Sequence, residues 1–149
     1  MSRPILVSAC LLGLLTRYDG QTKCNQKVLD FLKAQGLVPI PVCPEQLAGL
    51  STPRPASCFS KGDGRDLLDG NGTVVNRVGD EMNGPFLRGA AEVLKIARIS
   101  GATQALFKER SPSCGVHQVY LEEAIIAGQG VTSALLQRNG LSLCSEEDI

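Results

Sequence analysis

Cysteine is the residue type with the most chemistry to offer in this 149-residue chain, which contains six of them. Three of the six stand at or just beyond the ends of short apolar runs that predict β-strands. These are Cys10 after residues 4–9, Cys43 after residues 38–42, and Cys114 in the loop after residues 103–107. Because ligands of open parallel sheets lie beyond the carboxyl ends of the strands, we expect the three thiols to converge there.

Three converging thiolates favour a soft metal, above all an iron-sulfur cluster or zinc. Iron-sulfur clusters usually take four cysteines, so a three-cysteine site leaves one iron open to an exogenous ligand. Cys24 and Cys58 lack the placement at a strand end, whereas Cys144 ends the last predicted strand and competes for membership. The spacing by itself resembles no compact metal motif, and buried core thiols are the alternative interpretation.

Polar residues accompany the three cysteines in a way that a purely structural metal site does not need. Asp19 follows the first cysteine, Glu45 lies two residues after the second, and Lys108 and Ser111 precede the third. Groups of this kind can hold a small anionic or heteroaromatic ligand. The sequence therefore predicts a binding site around the thiols rather than a bare structural metal.

Other polar residues near these motifs have a simpler interpretation. Glu109 and Arg110 are predicted to be solvated loop charges, and Arg54, which stands between two prolines, fits either a structural or a ligand-binding role. His117 is the only histidine. A lone histidine is more often structural than a ligand, so it is not predicted for the site.

The elements that must position these residues alternate between strand and helix. Helical periodicity predicts helices over residues 25–35, 83–101 and 131–138, and a last strand is predicted over residues 141–144. Between residues 51 and 78 the Gly-rich and Pro-rich texture predicts a loop and a β-hairpin, which turns at residues 69–72 between Leu67-Leu68 and Val74-Val75. The fold class is thus α/β, a small Rossmann-like domain over residues 1–149 with a mostly parallel sheet flanked by helices.

Composition excludes several classes of function. Fifteen basic and fifteen acidic residues cancel, so no overall field draws the chain to nucleic acid or to an anionic membrane. No apolar run reaches the roughly 20 residues that a membrane-spanning helix needs. Only nine residues precede Cys10, too few for a secretory signal, so we expect a cytoplasmic protein whose cysteines stay reduced.

The motifs around the three cysteines resemble one known bacterial family, the thiouracil desulfurases, over nearly the whole chain. The segments that carry the resemblance are Val7-Ser8-Ala9-Cys10-Leu11-Leu12-Gly13 with Arg17-Tyr18-Asp19-Gly20, Pro41-Val42-Cys43-Pro44-Glu45 with Gly49-Leu50 and Pro53-Arg54-Pro55, Phe86-Leu87-Arg88-Gly89-Ala90, and Leu106-Phe107-Lys108-Glu109-Arg110-Ser111-Pro112-Ser113-Cys114-Gly115. The resemblance implies a 4Fe-4S cluster held by Cys10, Cys43 and Cys114. Its fourth iron is then free for the substrate.

The resemblance also implies hydrolytic, non-redox chemistry, in which 2-thiouracil and water give uracil and hydrogen sulfide. A thiocarbonyl sulfur is soft and would bind the open iron, which acts as a Lewis acid. Glu45 is the first choice for the base that takes a proton from water, and Asp19 is the next. Lys108 or the hydroxyls of Ser111 and Ser113 are predicted to hold the ring and its developing charge.

Two other functions remain open at this point. A cysteine persulfide sulfurtransferase would use Cys114, beside Lys108 and Arg110, as a thiolate nucleophile without metal. A non-catalytic zinc or cluster-binding module would use the same thiols for structure alone. The expected partners are a small thiolated base and sulfide, and the sequence predicts no oligomeric state.

Overall fold

The computed structural model describes residues 3–149. A 3₁₀ turn, Ala9–Leu12, follows the first strand. In chain order the helices and strands are β1 (Arg3–Ser8), α1 (Gln26–Ala34), β2 (Leu37–Val42), α2 (Pro44–Leu47), β3 (Ser57–Lys61), α3 (Gly64–Leu68), β4 (Thr73–Asn76), α4 (Asn83–Ser100), β5 (Gln104–Phe107), β6 (Gln118–Leu121), β7 (Ala124–Ala127), α5 (Val131–Arg138) and β8 (Ser142–Ser145).

The main sheet has four parallel strands in the order β2-β1-β5-β8. Strand β1 is central and buried, and it pairs in parallel with β2 from Arg3 opposite Leu37 to Ser8 opposite Val42. The strands predicted from the apolar runs are therefore confirmed, as is the α/β fold with a mostly parallel sheet. The carboxyl ends of β1, β2 and β5 lie side by side at one edge, where the chain leaves the sheet into the cysteine segments.

Both faces of the main sheet are covered by helices. On one face Val28 and Leu32 of α1 pack with Ile5, Val7 and Leu106. On the other face α4 and α5 pack with Leu6 and Phe107 through buried residues that include Val93, Ala97 and Leu136. Alternate residues of β1 thus face opposite layers, as the period of a strand requires, and this burial supplies the main driving force for folding.

A second sheet, in the order β4-β3-β6-β7, packs on the amino-terminal half of α4. Strands β3 and β4 are antiparallel, as are β6 and β7, and the two pairs meet in parallel at Phe59 and Leu121. The antiparallel pair β3-β4 corresponds to the predicted inserted hairpin. The predicted strand at Leu67-Leu68 is wrong, because these residues belong to α3 and the partner of β4 is β3.

Leu67 and Leu68 are helical because a strong capping motif starts α3 just before them. Asp63 caps α3 by accepting hydrogen bonds from the amides of Arg65 and Asp66. In turn, the Asp66 carboxylate accepts a hydrogen bond from the amide of Asp63. Such a reciprocal capping box satisfies amides that a helix otherwise leaves unpaired.

Among residues 3–149, no helix has the length and apolar character needed to cross a membrane.

Candidate active site

A cavity of about 960 Å³ opens at the carboxyl edge of the main sheet. Its walls come from the segments that follow β1, β2 and β5 and from the nearby strands of the second sheet. The lining residues that bear on chemistry are Ser8, Cys10, Arg17, Cys43, Glu45, Arg54, Cys58, Lys108, Glu109, Arg110, Ser111 and Cys114. All three strand-end cysteines thus reach one cavity, together with three of the four polar residues predicted to act beside them.

Cys10 lies in the 3₁₀ turn that begins where β1 ends. Its carbonyl oxygen accepts hydrogen bonds from Thr22 Oγ1 at 2.7 Å and from the amide of Lys23 at 3.0 Å, which hold the turn against the following loop. Burial raises the pKa of Cys10 to about 11, and the positive charge of Lys108 opposes this rise only in part. The isolated thiol therefore stays protonated near neutral pH.

Cys43 stands at the junction of β2 and the short helix α2, whose first residue is Pro44. Proline suits this position because the first helical amide has no intrahelical acceptor. On the other side, Gly89 of α4 leaves the space that the Pro44 carbonyl fills, since a Cβ on Gly89 would lie 2.2 Å from that oxygen. Close packing of α2 on α4 thereby fixes where Cys43 projects.

The thiol of Cys43 has two polar neighbours. Its Sγ donates to the carbonyl oxygen of Thr16 at 3.6 Å, and the Arg54 guanidinium Nη2 lies 3.9 Å from the same sulfur. Burial raises the pKa of Cys43, while the amide of Gln46 and the charge of Arg54 act in the opposite direction. A positive group is therefore already aimed at this sulfur.

Cys114 is buried, with 5% of its surface exposed, and its loop is held from several sides. Ser111 Oγ accepts hydrogen bonds from the amides of Ser113 at 3.2 Å and Cys114 at 3.0 Å. Ser133 Oγ donates to the Cys114 carbonyl at 2.8 Å, and the amide of Thr132 at the start of α5 donates to Ser113 O at 2.9 Å. The predicted site residue Ser111 thus shapes the loop that carries the third thiol.

Because the three thiols line the same cavity, each one affects the ionisation of the others. Burial raises the pKa of Cys114 well above its usual range, although the hydroxyl of Ser8 opposes the rise. The sulfurs of Cys43 and Cys10 raise the same pKa further, because each disfavours a second negative charge nearby. All six cysteines are free.

Glu109 is a structural anchor of the Cys114 loop rather than the solvated charge expected from the sequence. Only 2% of its surface is exposed, and its Oε1 accepts hydrogen bonds from the amides of Val116 (2.7 Å), His117 (2.7 Å) and Gln118 (3.0 Å). Burial alone would raise the pKa of Glu109, but these amides outweigh it and hold the pKa below its usual value. No local sequence signal marks this role, because the three amides lie seven to nine residues away.

Residues 145–148, which we call the acidic segment, bind the same loop from outside. Glu146 Oε1 accepts from the amide of Glu109 at 2.7 Å, and its Oε2 pairs with Lys108 Nζ at 3.0 Å. Two further ion pairs join Arg110 with Glu147 and His117 Nε2 with Asp148 Oδ2. Arg110 is therefore engaged rather than solvated. The predicted residue Lys108 lines the cavity with its ammonium fixed by Glu146.

Glu45 and Arg54 form a half-buried ion pair between the cysteine segments. Arg54 Nε donates to Glu45 Oε1 at 2.9 Å, and Ser113 Oγ donates to Glu45 Oε2 at 3.2 Å. The exposed fractions of the two side chains are 6% for Arg54 and 13% for Glu45. The sequence left the role of Arg54 open, and the structure gives it a place in the cavity wall.

Of the remaining residues considered from the sequence, only Cys58 lines the cavity. Asp19 does not line the cavity; its carboxylate accepts from the amide of Gln21 at 3.0 Å and lies 3.6 Å from Arg17, as in an exposed turn. Cys24 is exposed and Cys144 packs in β8 at the edge of the main sheet, both away from the cavity lining. Cys58 on β3 does line it, which the strand-end argument did not predict.

Fold and cavity together define an α/β protein whose candidate active site is built on three thiols, one buried and two half-buried, at the carboxyl edge of a parallel sheet. The chain belongs to the 2-thiouracil desulfurase family, whose model matches residues 5–148. This assignment confirms the family and the class of enzyme that the sequence motifs predicted.

Individual relatives agree over almost the full length. A curated protein of Bacillus subtilis (strain 168), described as uncharacterized protein YbbK, is 36% identical over 148 residues, 97% of each chain. A solved structure described as the 4Fe-4S-dependent thiouracil desulfidase TudS is 40% identical, with a TM-score of 0.82. The match covers 99% of this chain and 93% of that one.

Proposed function

We propose that this chain holds a 4Fe-4S cluster on Cys10, Cys43 and Cys114 and uses it to desulfurate a small thiolated base without redox change. In the case of 2-thiouracil, the base and water give uracil and hydrogen sulfide. The observation that carries the proposal is the convergence of three thiols, from three separate strand ends, on one cavity. The 4Fe-4S dependence of the TudS relative supports it, and six free cysteines suit a reducing cytoplasm.

The residues present fit such a cluster better than a single ion. Among residues 3–149, no three Cys, His, Asp or Glu side chains are grouped closely enough to share one metal ion. Tetrahedral zinc, with Zn–S bonds of about 2.3 Å, would hold its sulfurs within about 4 Å of one another. Cluster thiolates bind separate irons and stand further apart. Three soft thiolates on separate segments of one cavity support a polynuclear group, and among the described residues no fourth cysteine stands at a strand end of this cavity.

A bound cluster supplies the Lewis acidity of one iron without a protein ligand, to which a soft thiocarbonyl sulfur is well matched. Around it, Glu45 is placed to take a proton from the attacking water. A carboxylate offers about four acceptor positions, and Arg54 and Ser113 occupy one on each oxygen. Glu45 thus keeps free positions toward the cavity while both bonds fix its orientation.

Lys108 and Ser111 contribute in different ways. Lys108 brings a positive charge to the cavity wall, where it can stabilise negative charge that develops on the ring. The hydroxyl oxygen of Ser111 is occupied by two amides, but its proton remains available for a ring carbonyl. Asp19 lies outside the cavity lining and is the weaker candidate for the base.

The metal-free sulfurtransferase is less well supported. Its nucleophile, Cys114, is nearly inaccessible and has a raised pKa because of burial, whereas a reactive thiol needs access and a lowered pKa. Cys114 therefore suits a metal ligand better than an attacking thiolate.

The test is the iron and sulfide content of anaerobically purified protein, measured together with 2-thiouracil turnover. We expect about four irons and four sulfides per chain. Serine at Cys10, Cys43 or Cys114 should remove the cluster and the turnover. Cys24→Ser, an exposed position outside the cavity, is the matched control.

Cys58→Ser is the stringent control, because Cys58 lines the cavity but is not proposed as a ligand. We expect it to keep full iron. A cluster that depends on Cys58 or Cys24 but survives Cys43→Ser would refute the ligand assignment. Colourless protein with one zinc would favour the binding module, and active protein free of metal would favour the sulfurtransferase.

A further inference from the structure

The Arg54 guanidinium is the most heavily engaged polar group in the cavity wall. Its five N–H donors are matched by five acceptors within reach. These are Glu45 Oε1 at 2.9 Å from Nε, Thr52 Oγ1 at 2.9 Å and Ser51 O at 3.3 Å from Nη1, and Thr16 O at 3.0 Å and Cys43 Sγ at 3.9 Å from Nη2. Only a planar fork of five donors can serve all of them at once.

These contacts join all three cysteine segments. Thr16 belongs to the loop that follows Cys10, Cys43 is itself contacted, and Glu45 passes the connection on to Ser113, the neighbour of Cys114. The backbone adds to this, because the amide of Arg54 donates to Tyr18 O at 2.8 Å. The Arg54 side chain thus links the three cysteine segments to one another.

The hydrogen-bonding role of the Cys43 sulfur depends on whether it is protonated. As a thiol, Cys43 donates to Thr16 O, but a thiolate bound to iron has no proton to give and becomes an acceptor. The Arg54 Nη2–H is then the side-chain donor already next to that sulfur. A charged donor at a ligand sulfur withdraws electron density from the thiolate, which weakens its donation to iron.

We propose that Arg54 is a positioning residue that does two things through one guanidinium. It orients Glu45 toward the water that attacks, and it donates to the Cys43 thiolate so that the bound iron becomes more electrophilic. The inference rests on the proposed function, since it requires the cluster on Cys43. It assigns Arg54 no contact with the substrate.

The test compares the reduction potential of the cluster in iron-loaded wild type, Arg54→Gln and Arg54→Lys. Loss of the charged donor should make the potential more negative, and more so for glutamine than for lysine, which keeps the charge. We expect kcat for 2-thiouracil to fall on the order of 10–100-fold with KM nearly unchanged. A residue that only supports the fold would lower iron content without this shift.

Two controls separate the parts of the proposal. Glu45→Gln removes a negative charge from the same ion pair and must not make the potential more negative, although it too lowers kcat. Arg138→Gln breaks an arginine–carboxylate pair with Asp69 (3.1 Å) outside the cavity lining and should change neither quantity. Equal potentials in fully loaded wild type and Arg54→Gln would overturn the proposal alone, whereas wild type without iron would overturn the proposed function as well.

A measurement on the wild type covers the case in which neither Arg54 variant folds. Protein labelled with ¹⁵N only in arginine should show a nitrogen coupling to the reduced cluster in pulsed electron paramagnetic resonance, because Nη2 lies beside Cys43 Sγ. The coupling should persist in Arg138→Gln. Its absence from loaded, reduced wild type would refute the contact and the proposal with it.

Discussion

Replacing Glu109 by glutamine should destabilise the Cys114 loop by a predictable amount. One carboxylate oxygen accepts three amide hydrogen bonds in a site that is 2% exposed. A hydrogen bond to a charged group contributes about 1.5–3 kcal/mol and a neutral one about 0.5–1.5 kcal/mol, so three exchanges cost about 3 kcal/mol. The lower cost of burying a neutral amide offsets part of this, which leaves about 2 kcal/mol.

Urea denaturation of anaerobically purified Glu109→Gln should therefore show a midpoint about 1 M below that of wild type, for a slope of about 2 kcal/mol per molar. Glu92→Gln is the matched control. The Glu92 side chain on α4 is 38% exposed and pairs with the exposed Lys95 at 2.9 Å, so its loss should cost less than about 0.5 kcal/mol.

The pH dependence provides a second check on Glu109. Because its folded-state pKa lies below the ordinary value of 4.5, its contribution is fully present above pH 4.5 and is lost as the pH falls through the folded value. The stability gap between wild type and Glu109→Gln should thus be constant near neutral pH and close in acid. Equal stability at neutral pH, or a gap that persists unchanged in acid, would refute the anchoring role.

Three further predictions address the base, the acidic segment and the loop packing. Glu45→Gln should keep full iron but lose on the order of 10²–10⁴ in desulfuration rate; unchanged turnover would exclude Glu45 as the base. His117→Ala should cost less than about 1 kcal/mol below pH 6.5, because Asp148 raises the pKa of His117, and this cost should vanish as the pH rises through the folded value. A cost that persists in alkali would contradict the ion pair. Gly130→Ala should cost about 1–3 kcal/mol of stability and reduce iron loading, since its Cβ would lie 2.4 Å from the Ser113 carbonyl carbon. Gly84→Ala, which has open space around it, should do neither. Equal iron in both variants would contradict the packing argument.

The strands that carry the site could be predicted because their signal is local. Short apolar runs rich in β-branched residues end just before Cys10 and Cys43, and this local pattern was enough to predict both the buried strand β1 and the edge strand β2. The same rule that places ligands at the carboxyl edge brought three thiols together without any knowledge of pairing. It missed Cys58 because β3 belongs to the second sheet, whose position depends on tertiary packing.

The second sheet was only partly predictable for a similar reason. Strands β6 and β7 are joined through Glu122, which has φ 54°, a conformation that glycine or asparagine usually marks in a hairpin. Without such a residue the turn gives no sequence signal. The helix α3 did carry one, the Asp63 and Asp66 capping box, but the adjacent Gly-rich stretch favoured a hairpin.

The electrostatic design of the site could not be predicted from the sequence. Arg54 meets Thr16 across 38 positions, and Glu45 meets Ser113 across 68. Glu109 and Arg110 were expected in solvent because charged residues in a loop usually are. The bond from the Glu109 amide to Glu146 and the pairing of Arg110 with Glu147 form only when the acidic segment folds back onto that loop.

The acidic segment also sets an order of events during synthesis. Its residues lie 31 to 38 positions beyond the ones that they hold, and β8 pairs with β5 directly before them in the chain. A nascent chain that extends past Cys114 but not to Asp148 therefore has all three thiols and still lacks the outer contacts of the loop that carries the third. The loop around the third thiol therefore gains its outer support only after β8 has docked on β5, which makes that support a late event in the folding of the chain.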